Sequence, residues 1–158
     1  MKMNWKEMMI LGYRSDVRIA TSKKNYQKLK EHVKEYLQKH DKNYNLLESC
    51  DVMLNNEEIC YFGWDHIKWY DGCEGFEHIA AIESGLDYLE ENDMSFTFAR
   101  MGENYDDYEE RNNDAGEENF RGYIPYPSVI RKFDDIDLKQ ELDNMKFIDK
   151  NQDLEVAI

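Results

Sequence analysis

Residues 16–39 read DVRIATSKKNYQKLKEHVKEYLQK, and the hydrophobic period in this stretch changes from two to three-and-four at Ser22. Before Ser22, Val17, Ile19 and Thr21 fall on one face and Arg18 and Ala20 on the other, the alternation of a strand. After it, Tyr26, Leu29, Val33, Tyr36 and Leu37 share one face of a helix to about residue 39, with Ser22 placed to cap its first turn. The opposite helix face carries Lys23, Lys24, Lys28, Lys30 and Lys34, relieved by Glu31 and Glu35 three or four positions from a lysine.

Beyond the polar break at 39–45, residues 50–64 (CDVMLNNEEICYFGW) set two short apolar runs around Asn55 and Asn56, which tolerate the backbone of a tight turn. This predicts a hairpin, and WDHIKWYDG at 64–72 either extends its second strand or forms an irregular aromatic link. Gly72 and Gly75 then bracket the start of a second helix, whose core face is Phe76, Ile79, Ile82, Leu86 and Leu89. Gly85 weakens that helix by about 1 kcal/mol relative to Ala. SFTFARMG at 95–102 reads as a further strand. The order strand, helix, strand, strand, helix, strand predicts an α+β fold: an antiparallel sheet with both helices on one face, in the split βαβ pattern of a ferredoxin-like core. An extra N-terminal strand over residues 7–14 is the main competitor.

The expected organisation is a core over residues 1–102 and an acidic loop and C-terminal extension over 103–158, packed on the core. Residues 103–119 set Glu103, Asp106, Asp107, Glu109, Glu110, Asp114, Glu117 and Glu118 against a single Arg111. In 120–133, Pro125 and Pro127 disqualify a central strand, so this stretch is expected over a sheet face or edge. Ile136, Leu138, Leu142 and Met145 recur at helical spacing, with Asp134, Asp135 and Asp137 where the helix dipole favours negative charge. A short terminal helix is expected there.

Charge is distributed unevenly. Residues 1–42 carry eleven Lys and Arg against five Asp and Glu, whereas residues 43–158 carry nine against twenty-nine, giving the whole chain −14. A surplus of that size bears on partners and not on fold. It disfavours direct nucleic-acid binding, because only the first helix offers lysines and the remainder repels a polyanion. No run approaches the roughly eighteen apolar residues of a membrane span, and the N-terminal apolar run is too short for a signal peptide, so a cytoplasmic location is expected. Three cysteines without a CxxC pair point to reduced thiols.

Catalytic and metal chemistry find little support. Cys60, His66, Cys73 and His78 are spaced too evenly for a structural zinc site, and a contiguous acidic run does not converge from rigid elements as magnesium sites do. No metal, cofactor or catalytic residue is assigned, and an enzyme is not expected. The acidic surface is the better candidate. Asp106, Asp107, Glu109 and Glu110, interleaved with Tyr105 and Tyr108 and rimmed by Glu117 and Glu118, offer charge for steering and aromatic area for contact. The second helix adds Glu74, Glu77, Glu83, Asp87, Glu90 and Glu91. Carboxylates at near-even intervals imitate the phosphate array that a basic nucleic-acid-binding groove selects.

A small, acidic, aromatic-rich chain without a catalytic motif, biased toward Lys, Asn and Tyr, resembles the accessory proteins of phages and mobile elements of AT-rich Gram-positive bacteria. That group includes anti-CRISPR and other anti-defence inhibitors and DNA mimics. The resemblance implies an inhibitor that occludes a basic site on a host defence protein, and it transfers no residue roles. Two alternatives remain open: an immunity protein against a basic toxin nuclease, and a small-ligand binder or enzyme with a pocket at Trp64, His66, Trp69 and Tyr70. Pairing of one copy's lysines with another's acidic loop also permits a homo-oligomer.

Overall fold

The computed structural model describes Asn4, Lys6, Glu7 and residues 12–116, 118–124 and 133–156. Its described strands are β1 (Ser15–Ser22), β2 (Val52–Asn55), β3 (Ile59–Ile67), β4 (Phe96–Gly102) and β5 (Tyr108–Asn113), and its long helices are α1 (Lys23–Lys39), α2 (Glu77–Glu91) and α3 (Asp135–Val156). The five strands form one antiparallel sheet in the order β2-β3-β1-β4-β5. The fold is α+β, and its first four strands have the neighbours expected of a split βαβ core.

The change of period at Ser22 accounts for the central elements. Ser22 accepts the backbone N–H of Asn25 and caps α1, while Val17 and Ile19 are fully buried against Leu29 and Val33 of that helix. Phe62 and Trp64 of β3, Phe96 and Phe98 of β4, and Ile79, Ile82, Leu86 and Leu89 of α2 complete this core. Both helices therefore lie on one face of the sheet. Asn56 closes the β2–β3 hairpin: its side-chain Oδ1 accepts the N–H groups of Glu58 and Ile59.

Gly85 has a packing role that helix propensity does not reveal. A Cβ there would lie 2.4 Å from Cδ1 of the fully buried Leu29, so the glycine permits the close approach of α1 and α2.

The opposite sheet face is covered by the C-terminal part of the chain. Ala20, Ile59, Tyr61, Ala99 and Met101 pack against Phe120, Ile124, Phe133, Leu138 and Leu142. The helix expected to be short runs for 22 residues, and of the four apolar residues that predicted it Leu138 and Leu142 are buried, whereas Ile136 and Met145 face solvent. Arg18 fastens the start of α3. Its guanidinium is 2% exposed, meets Asp135 at two points and Asp65 at one, and lies 5.0 Å from the centre of the Phe133 ring.

One element was not expected as regular structure. YEERNN at 108–113 forms β5, paired with β4 from Phe96↔Asn113 to Met101↔Tyr108. The competing strand at 7–14 and the prolines Pro125 and Pro127 lie largely or wholly outside the described residues.

Candidate interaction surface

The turn that joins β4 to β5 begins the site. Gly102 donates its backbone N–H to the Asp107 carbonyl, and Asp107 donates its own to Asn104, which places Tyr105 and Asp106 at the tip. A Cβ at Gly102 would come within 2.0 Å of Asp107 Oδ2 and 2.2 Å of the Tyr13 hydroxyl. Only glycine admits both groups so close to the backbone.

Asp107 belongs to an internal clamp. Arg100 Nη2 and Nη1 reach its two oxygens at 2.8 and 3.0 Å, and the Tyr13 hydroxyl donates to Oδ2 at 2.6 Å. Arg100 also donates to Ser15 Oγ at 3.0 Å, and the Tyr13 oxygen accepts the Asn104 N–H. Burial and the hydrogen bond to Asp107 raise the Tyr13 phenol above its usual pKa. Asp107 is 9% exposed, so its charge is neutralised inside the protein and is not presented to a partner.

The rest of the expected contact set is distributed over the hairpin. Tyr105 is 85% exposed and Asp106 is exposed beside it, while Tyr108 is 37% exposed. Glu109 faces the helix side, within 3.3 Å of Arg100. Glu110 faces the other side, where Arg121 and Asn112 donate to it at 3.0 Å. Glu118 is exposed, and Glu117 lies outside the described residues.

A cluster of negative charge is assembled between α2 and β5. Arg111, on the helix side of β5, holds Asp87 at 2.7 Å and Glu90 through the same nitrogen, and Glu83 lies 3.7 Å from the other. The guanidinium rests 5.3 Å from the Phe96 ring centre. Glu83 also accepts the Trp69 indole N–H at 2.9 Å. Burial raises its carboxyl pKa, and the Asp71 and Glu109 charges push in the same direction. The carboxyl of Asp71 is raised as well, by partial desolvation and then by Asp87 and Glu109. Asp71, Glu83, Asp87, Glu90 and Glu109 thus form one negative field, in which Arg111 meets Glu83, Asp87 and Glu90 and Arg100 meets Glu109.

That face was legible only in part. The α2 carboxylates follow from helical spacing, but their convergence depends on Arg111 being in a strand beside them. No sequence signal identified Asp71.

The four residues of the alternative pocket do not share one wall. Trp64 and His66 border a hollow of about 360 Å³ with Tyr44, Phe76, His78 and Arg14. Trp69 packs instead between Trp64 and Phe98, and Tyr70 packs on Phe76 while donating its hydroxyl to the Tyr13 carbonyl. His66 has a φ of 51° at a bulge in β3, where its N–H is held by Asp16 and its carbonyl by Arg14. Cys60 is buried beside Met53, and desolvation pushes its thiol up to about 11. Among the described residues, no three His, Cys, Asp or Glu side chains are grouped to hold a metal ion, and no helix is long and apolar enough to cross a membrane.

No protein-family model matches the chain, and no curated protein or solved structure is significantly similar to it.

Proposed function

We propose that the chain is a non-enzymatic binding protein whose acidic α2–β5 face occludes a basic, nucleic-acid-binding site on another protein. The supporting observation is the gathering of Glu83, Asp87 and Glu90 around Arg111, with Asp71 and Glu109 close enough to add to their field, beside the exposed Tyr105 and Asp106. Such a field steers a cationic surface toward the protein, and the tyrosine supplies contact area once it arrives. In this reading the partner is a host defence protein and the source a phage or mobile element, as the composition of the chain suggests.

Capture with competition tests the proposal. The immobilised chain and an Asp87→Lys/Asp106→Lys/Glu109→Lys variant, verified as folded by circular dichroism, are exposed to a bacterial lysate and then washed with duplex DNA. The expected outcome is a protein held by the native chain, lost with the variant and released by DNA. Capture indifferent to both the charge reversal and the DNA contradicts the reading.

A further inference from the structure

The outer edge of β5 borders the acidic face. β5 ends the strand order, and no described residue pairs with its far side. Its pairing with β4 runs without a register shift over all six residues. The edge is therefore a regular one of about 20 Å. Because the Gly102 N–H bonds the Asp107 carbonyl, alternation turns the backbone groups of 109, 111 and 113 inward and those of 110 and 112 outward.

Proteins protect such edges from pairing with themselves, and charge is one means of doing so. Two-fold antiparallel pairing of β5 with a second copy keeps side chains of the same face opposite one another. The two most centred registers then set Glu110 against Glu110 or Arg111 against Arg111. Like charges directly opposite destabilise a pair, which disfavours the Arg111 register; the Glu110 register also sets Glu109 opposite Arg111 on both sides, so charge does not bar it. A cationic strand would meet Glu109 and the α2 carboxylates, gathered about Arg111, on one side of the edge and Glu110, paired with Arg121, on the other.

We infer that the partner contributes an extended Lys- and Arg-rich segment that adds antiparallel to β5 as a sixth strand. Main-chain hydrogen bonds along 109–113 set its register, and the carboxylates on both faces select its charge. This rests on the acidic face being the binding surface and specifies the conformation of what it binds.

The test uses an end-blocked octapeptide of alternating Lys and Val, and the same peptide with two consecutive central amides N-methylated. The methyl groups block both edges of the peptide and leave its charge unchanged. Sixth-strand pairing predicts that methylation weakens binding about tenfold. It also predicts that the unmethylated peptide slows hydrogen exchange at the Glu110 and Asn112 amides. Equal, salt-sensitive binding of both peptides without that protection overturns the strand addition and leaves the acidic face as the binding surface. Failure of both peptides to bind at about 20 mM salt, where screening is weak, overturns both.

Discussion

Arg18 and Asp135, 117 residues apart in the chain, form a two-point ion pair, with Nε to Oδ1 at 3.1 Å and Nη2 to Oδ2 at 2.8 Å. The Tyr61 hydroxyl donates to the same Oδ1 at 2.7 Å. The pair joins the centre of the sheet to the first turn of α3. Asp135→Ala is expected to destabilise the protein by about 2 kcal/mol, below the usual cost of breaking a buried pair because Asp65 still meets the guanidinium. Asp65→Ala, removing a single and more exposed contact, should cost less. Urea unfolding of the two variants checks the order.

Within the acidic run, neighbouring residues should behave differently. Asp107→Ala leaves Arg100 and the Tyr13 hydroxyl without their central acceptor and should cost about 3 kcal/mol. Asp106→Ala changes an exposed turn position and should stay within about 0.5 kcal/mol. Similar thermal midpoints for the two would show that the Tyr13–Asp107–Arg100 clamp does not stabilise the fold.

Residues 16–39 made the core legible because one face of each element is apolar and the period changes at a capping serine. The β2–β3 hairpin and α2 were legible for the same reason. β5 was not, because YEERNN has no apolar alternation; it is ordered by pairing with β4 and by Arg111 reaching the α2 carboxylates. The candidate site was half legible. Composition located the acidic hairpin, but only the fold shows that Asp107 faces inward and that Asp71 joins the α2 carboxylates. Trp64 and Trp69, candidate pocket residues by sequence, are both buried in the core cluster.

Glu83 gives a pH-dependent prediction. Its folded pKa is raised above the ordinary 4.5, so its ionisation disfavours the folded state. The stability associated with its protonated form is complete below the unfolded pKa and is lost as pH rises through the folded one. Glu83→Gln keeps an acceptor for the Trp69 indole and removes the charge. The variant should therefore gain stability relative to the native chain between about pH 4.5 and neutrality, with the two converging in acid. Denaturant midpoints at several pH values test this, and a variant less stable at pH 7 would contradict it.

Gly85→Ala sets propensity against packing. Alanine favours the isolated helix by about 1 kcal/mol, but here its methyl group meets Leu29 Cδ1. The expected result is a net loss of about 1–2 kcal/mol from repacking α1 against α2. A stabilised variant would show that the helices can separate without cost.

The central claim is that the acidic face occupies a site that otherwise holds nucleic acid. Its most direct test is the rate at which the chain associates with its captured partner, measured with and without duplex DNA saturating that partner. Occlusion predicts that DNA abolishes association and that the rate falls steeply with salt. A ternary complex formed at an undiminished rate would contradict it.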